Sequence, residues 1–470
     1  MVQPGGATKW SLIDDLTEEQ TMQKLSVVEK VGYGLGDTAT NLVWRTLMVF
    51  LPIFYTDVFG ISAAAVGTLL LVCRFWDGIT DFIMGLIADR TETRWGKFRP
   101  WVLWMALPFG IMTVLTFTTP DLSMTGKLIY AYVTYSGLIV VFTASNVPYS
   151  ALMGVMSPDP DDRTSLSSYR FFFAFLGGLI TQGLNIYLVE FFGHGNQMRG
   201  YKDTMILFAA LSVVFFLITF FTTKERVKPP KNQHSSLKRD LADLVRNQPW
   251  VILFFLGIFF VTMTTLKQGA TMYYFKYYVG TVHLATSFMI VGLLAAMLGA
   301  GLTERLTRLL GRLGTMKASL LLAFLSSTLL FFVKPTGIAA IFTLSTLTEF
   351  STGPIVTLFF AMLADSADYS EWKTNRRATG LVFSAGTLSL KFGTGIAGAL
   401  IGWVLTVFGY AANVSQSAHT LLGIRLLMGI FPAVVALLAL GVFAFYRIDD
   451  AFLARIRDEL SLRKQAGAEA

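Results

Sequence analysis

The chain has 470 residues, 54% of them hydrophobic and only 14% charged. Soluble domains carry about 25% charged residues, so this composition excludes a soluble globular protein and indicates a membrane one. A net charge of +8 could suggest nucleic acid, but the basic residues gather in alternate loops; the lone Cys73 excludes a disulfide framework or a thiolate metal cluster, and no HExxH zinc motif occurs.

The first 29 residues are polar and include Asp14, Asp15, Glu18 and Glu19. They lack the basic start and apolar core of a cleavable signal, so a cytosolic tail over residues 1–29 is expected. Twelve apolar stretches long enough to span a bilayer follow. They are predicted to begin near Tyr33, Gly60, Pro100, Gly126, Ser165, Asp203, Pro249, Leu284, Thr315, Gly337, Ala378 and Leu421. One basic loop holds Arg90, Arg94, Lys97 and Arg99; a second runs from Lys224 through Lys228, Lys231, Lys238 and Arg239 to Arg246. Arg305, Arg308, Arg312 and Lys317 form a third, Lys373, Arg376 and Arg377 a fourth, and Arg447, Arg455, Arg457, Arg463 and Lys464 a fifth. The intervening loops hold chiefly Lys127, Arg199, Lys202 and Lys334. The positive-inside rule then places both termini in the cytoplasm.

The polar 224–249 segment divides the chain into six-span halves, 30–223 and 250–447, with a cytosolic tail over 448–470. Gly85 to Pro100 after span two echoes Gly301 to Lys317 after span eight. The predicted fold is an all-α integral membrane protein of twelve transmembrane helices in two pseudo-symmetric six-helix bundles, with a site near the midplane. Within span two, Asp77 and Asp81 stand four residues apart and share a helix face. A carboxylate at the centre of a membrane helix costs about 2.5–3.5 kcal/mol on insertion scales, so a pair on one face points to cation binding. Arg74, one turn earlier, can neutralise Asp77 but leaves the second carboxylate without a partner.

A set of motifs then recurs in order. Gly32-Tyr33-Gly34-Leu35-Gly36-Asp37 opens span one and Phe54-Tyr55-Thr56-Asp57 closes it. Arg74-Phe75-Trp76-Asp77 with Asp81 comes next, then Thr93-Arg94-Trp95-Gly96-Lys97-Phe98-Arg99-Pro100-Trp101. Asn146-Val147-Pro148-Tyr149 lies in span four, and Ala364-Asp365 with Asp368-Tyr369-Ser370-Glu371 follows span ten. From about Gly32 to Arg447 the chain resembles the glycoside–pentoside–hexuronide:cation symporters of the major facilitator superfamily. The resemblance implies the major facilitator fold and uptake of a sugar driven by a co-transported cation, in a bacterial inner membrane.

Carried over residue by residue, the resemblance implies a cation site at Asp77 and Asp81, with Thr143 facing them from span four. Thr80 stands where sodium-using relatives often have Asn. Two carboxylates and a hydroxyl offer hard oxygen ligands to Na+, and neighbouring carboxylates disfavour ionising together, which equally suits H+. For the sugar, the family's melibiose carriers have aspartates at the positions of Asn41 and Asn146, and tryptophans at those of Ser150 and Val356. An amide both donates to and accepts from a hydroxyl, so recognition survives while two negative charges vanish. Arg170 and Lys391 match family cationic positions, while Arg45 and Lys267 are additional intramembrane cations and Glu349 an acid that can pair with one of them. This balance favours an anionic sugar such as a hexuronide, which arginine grips through a planar bidentate contact. Tyr149 and Trp44 are candidates to stack on a pyranose, and Gln182 and Asn185 to bond hydroxyls. His194, His234, His283 and His419 fall in loops or near span ends, which argues against a histidine proton relay.

The expected activity is import by symport with Na+ or H+ through alternating access, with no other cofactor. The expected partners are a small sugar, the cation and the bilayer, the carrier working as a monomer without nucleic acid. A cytosolic gate is expected between Arg94, Lys97 or Arg99 and Asp365, Asp368 or Glu371 across the halves when the protein faces outward. The rival classes are an uncoupled sugar facilitator, a non-transporting sensor and a membrane enzyme. An enzyme is expected to carry its site on a sizeable loop or soluble domain, and a sensor to append a signalling domain. Here the longest interruption is the 224–249 linker, and the C-terminal tail is short.

Overall fold

The computed structural model describes residues 24–157, 159–227, 244–374 and 379–468. The acidic start of the chain, Lys228, Lys231, Lys238, Arg239, Arg376, Arg377 and His234 lie outside the described residues. The first half comprises α1 (Val27–Val49), α2 (Ala63–Arg90), α3 (Arg99–Thr116), α4 (Met124–Met156), α5 (Pro160–Gly193) and α6 (Gln197–Thr222). The second comprises α7 (Gln248–Tyr273), α8 (His283–Phe331), α9 (Ile338–Thr374), α10 (Thr379–Val407), α11 (Ala418–Met428) and α12 (Ile430–Phe443), and a last helix, α13 (Asp450–Ala468), follows.

Several helices start before their apolar windows because a polar residue caps them. Ser26 and Glu29 form a reciprocal capping box at α1, so the helix begins at Val27 rather than near Tyr33. Asn196 caps α6, which begins at Gln197 rather than near Asp203. Expected spans eight and nine are the two arms of one long helix, α8, interrupted at Gly311 with φ +69°. Counting both arms of α8, and α11 with α12 as one passage, the described residues fold into twelve passages. Among the described residues, eight helices, α8 counted once and α11 with α12 as one, are long and apolar enough to cross a bilayer by length and composition alone.

The halves repeat each other at two places. Gly96, in the loop after α2, has φ +109° and lies against Glu225 from the segment after α6. Gly311 occupies the corresponding bend and lies against Asp450 from the segment after α12. Positive φ suits glycine, which has no Cβ to clash. The second repeat is a π-helical turn at the end of the first helix of each half, Phe54–Val58 after α1 and Tyr274–Val279 after α7.

Within the first half α1 packs on α5 and α6, and α4 on α2 and α3; within the second, α7 packs on α10 and α12, and α8 on α9 and α12. The halves meet through α2 with α10, α5 with α8, and α1 with α7. The α2–α10 seam is closest at the end away from the termini. A side chain at Gly402 would collide with the backbone of Ala63 and Gly67, and Gly398 and Gly395 lie against Leu70 and Arg74. Further toward the termini, Gly85 of α2 has nothing within 4 Å of its Cβ position. The α5–α8 seam follows the same course, from Glu190 and Tyr187 beside His283 to Gly178 beside Leu293. The bundle is therefore sealed at one end and parted at the other.

At the parted end, Asp162 ties the start of α5 to the start of α1. Its carboxylate accepts from the Leu25 N–H at 3.0 Å and from Ser157 Oγ at 3.3 Å, and pairs with Lys30 Nζ at 3.1 Å. Burial opposes its ionisation, but the Leu25 N–H and the Lys30 ammonium outweigh burial and hold the carboxyl below its ordinary range. A depressed folded-state pKa contributes stability above the unfolded value of about 4, lost as pH falls through the folded value. Asp162→Asn is therefore expected to cost about 1.5–3 kcal/mol at pH 7, seen as a lower melting temperature, with the gap from wild type closing in acid.

Candidate functional site

Between the two ends of the bundle, the described residues hold three clusters of charged groups. In the first, the four-residue spacing on α2 directs Asp77 and Asp81 to the same face, toward α4 and α10. Thr143 Oγ1 of α4 donates to Asp77 Oδ1 at 3.0 Å and to Asp81 Oδ1 at 3.1 Å. Lys391 of α10 reaches across the seam, its Nζ 2.9 Å from Asp77 Oδ1 and in a hydrogen-bonded ion pair with Asp81. Arg74 Nη1 lies 3.3 Å from Asp77 Oδ2, its Nη2 donates to Tyr135 Oη, and its guanidinium sits 4.4 Å from the centre of the Trp44 ring. Two carboxylates thus face two cations. Thr80 Oγ1 donates to the Asp77 carbonyl at 3.0 Å, so its hydrogen is directed to the helix backbone rather than to either carboxylate.

This arrangement corrects one step of the sequence reasoning. Arg74 does not leave Asp81 without a partner, because Lys391, assigned above to the sugar, supplies it. Chemically, the cluster is a charge-balanced cage whose oxygens could hold a small cation once the Lys391 ammonium withdraws. Among the described residues, no group of three or more His, Cys, Asp or Glu side chains is placed to hold a metal ion.

The second cluster lies toward the parted end, between α1, α4 and α5. Arg170 Nε is 2.5 Å from Asp37 Oδ2, and its Nη2 donates to Ser150 Oγ at 3.3 Å. Tyr149 Oη donates to the Tyr33 carbonyl at 2.6 Å and lies 3.4 Å from Asp37 Oδ2. Tyr149 is fully buried and stacks on Tyr33 at 4.7 Å, while Trp44 stacks on Phe142 at 4.6 Å, so these ring faces are already occupied. Asn41 donates its amide to the Asp37 carbonyl at 2.9 Å. Asn146 is half-buried and has no hydrogen-bond partner among the described residues.

The third cluster borders a cavity of about 410 Å³ between the halves, within the range of small-molecule sites. Arg45, Lys267 and Glu349 line it, with Gln182, Gln268 and Val356. Lys267 Nζ is 3.1 Å from Glu349 Oε1, realising the pairing that Glu349 suggested. Asn185, fully buried next to Gln182 on α5, has both amide atoms unpartnered among the described residues.

The expected gate residues flank the parted end and bond mostly within their own halves. Glu225 accepts the N–H groups of Lys97, Phe98 and Arg99 at 2.7–2.9 Å, satisfying the otherwise orphan amides at the start of α3. Arg94 lies over Trp95, and Arg99 Nη2 donates to the Phe220 carbonyl. Asp365 pairs with Arg312, and Asp368 and Glu371 follow on α9, both engaged with neighbouring groups. Sequence reasoning missed the seal at the opposite end. There Asp57, buried on the first π turn, pairs with Lys276 Nζ at 2.5 Å and accepts hydrogen bonds from Tyr277, Tyr410 and Thr56. Asn413 Nδ2 adds a bond to the Asp57 carbonyl at 2.6 Å. A lone acid closing span one was the visible signal, but its partners come from the other half.

These features can be set beside known proteins. The chain is 41% identical to the putative glycoside/cation symporter YagG of Escherichia coli strain K12, over 96% of this chain and 98% of that protein. It is 39% identical to the inner membrane symporter YicJ of the same strain, over 94% and 96%. A solved structure of a bacterial homolog to the human lysosomal transporter Spinster, inward-facing and unoccupied, matches with a TM-score of 0.64. That match covers 90% of this chain and 98% of the other at 13% identity, and it shows the major facilitator architecture alone. The family described as MFS/sugar transport protein matches residues 32–450. With two six-helix halves and a match over nearly its whole length, the chain belongs to this family of MFS/sugar transport proteins: it is a transporter and not an enzyme.

Proposed function

We propose that the protein imports a sugar glycoside across the cell membrane by symport with Na+ or H+, through alternating access. The observation that carries this reading is the Asp77–Asp81–Thr143 cage with Lys391 reaching into it from the other half. A cation entering the cage competes with the Lys391 ammonium for the same oxygens, so cation binding changes how α10 rests on α2. The sugar occupies the cavity beside α1, α5, α7, α8 and α9. Coupling is reciprocal: a cation that raises sugar affinity has its own affinity raised equally. The names of the relatives YagG and YicJ, a glycoside/cation symporter and an inner membrane symporter, accord with this assignment.

With both termini in the cytoplasm, as the basic loops support, the sealed end faces outward and the parted end inward. The outward-facing state closes the parted end, and Asp365, Asp368 and Glu371 then meet Arg94, Lys97 or Arg99. The anionic-sugar expectation rested on two sugar-site aspartates replaced by Asn41 and Asn146 and on the cations Arg45, Arg170, Lys267 and Lys391, opposed by Asp77, Asp81 and Glu349. Three of the cations, Arg170, Lys267 and Lys391, face carboxylates, and this supports a neutral glycoside instead.

Asp81→Asn is expected to insert normally and to lose gradient-driven accumulation in proteoliposomes; full cation-driven uptake by the variant overturns the cage assignment. An imposed ion gradient that leaves wild-type uptake unchanged identifies a facilitator instead. Lys391→Gln leaves one net negative charge in the cage, so Na+ or acid is expected to raise the melting temperature of the purified variant more than that of wild type. Asp368→Lys is expected to increase labelling of a cysteine introduced in the cavity, read over a low background because Cys73 is buried. Unchanged labelling refutes the gate.

A further inference from the structure

The cavity holds an ion pair whose two members are unequally placed. The Lys267 side chain is 2% exposed and the Glu349 side chain 20%. Lys267 Nζ is bound by Glu349 Oε1 at 3.1 Å and by Ser345 Oγ at 3.2 Å. The ammonium is thus hidden in the wall, and Glu349 is the member that presents itself to the cavity. Arg45 faces the same space from the first half, with no carboxylate within ion-pair distance among the described residues. Gln182, 4% exposed, lines the wall with its side-chain carbonyl unpartnered.

Together Arg45, Lys267 and Glu349 carry one net positive charge. A sugar hydroxyl donates and accepts at once, and a carboxylate beside a guanidinium offers both complements. A uronide would instead bring a second carboxylate next to Glu349, and like charges repel strongly where water is scarce. Without Glu349, two unopposed cations would face the cavity and suit an acidic group.

We propose that Glu349 determines substrate charge: it accepts a sugar hydroxyl and, by neutralising Lys267, restricts the carrier to uncharged glycosides over the matching uronides. This rests on the symport reading above and extends it to the charge of the sugar.

The test uses matched p-nitrophenyl glycosides and glycuronides, both anomers, scored by thermal stabilisation of the purified protein and by uptake into proteoliposomes. Wild type is expected to prefer the neutral member of a pair. Glu349→Gln shifts that preference toward the uronide by about tenfold or more, as expected for one unit charge a few ångströms from another. The double variant Lys267→Gln with Glu349→Gln restores the wild-type net charge and loses the gain, an outcome that a merely structural pair does not produce. If Glu349→Gln is not recovered in the membrane, Arg45→Gln carries the test: residual uronide binding falls about tenfold while neutral binding falls less. A wild-type preference for uronides, or an unchanged preference in Glu349→Gln, overturns the role of Glu349 and leaves sugar symport standing. Failure of every sugar pair to bind or enter with wild type overturns the sugar reading itself, and this proposal with it.

Discussion

The structure turns on the ion cage between α2 and α10. Asp77, with none of its side chain exposed, is held by two cations and a hydroxyl. One cation belongs to its own helix; the other belongs to the opposite half. Removing one partner of such a buried pair typically costs 3–5 kcal/mol, because the remaining charge is stranded. The placement of α10 is therefore tied electrostatically to two carboxylates on α2. A transporter needs such a coupling, because a local ionic event must bias the packing of whole helices.

The second organising feature is the repeat between halves. The π turns after α1 and α7 sit at equivalent places, and they meet: Asp57 is on one, Lys276 and Tyr277 on the other. Each π turn departs from regular α geometry and alters where its side chains project, a distortion often found at functional sites. At the opposite end, the repeated glycine bends at Gly96 and Gly311 are each braced by an acid from the segment after the last helix of that half. Contacts between halves thus concentrate at one end, and contacts within halves at the other.

Much of this organisation is legible in the residues themselves. Apolar windows locate the passages, since a bilayer admits little else, though polar caps such as Ser26 and Asn196 extend helices beyond them. The break in α8 is harder to see, because Gly311 is flanked by helix-compatible residues and only its positive φ marks the bend. Asp77 and Asp81 are legible because their spacing is local. Lys391 is not legible as their partner, since 310 residues separate it from Asp81 and pairing depends on how the halves dock. The ring faces of Tyr149 and Trp44 show the same limit, since Tyr33 and Phe142 cover them only in the folded bundle. Likewise α13, read as a tail, docks on α9 through Trp372, which donates to Glu459 and accepts from Arg463.

The seam between α2 and α10 has one more consequence. Near its sealed end Gly67 and Gly402 bring the two backbones together with no side chains between them. Immobilising long side chains costs up to about 2 kcal/mol each in lost rotamer freedom, and glycine has none to lose. Closing this stretch therefore freezes little, and parting it liberates little. The seam can separate and re-form with a small entropic difference between the two conditions, leaving the balance to the charges further along it.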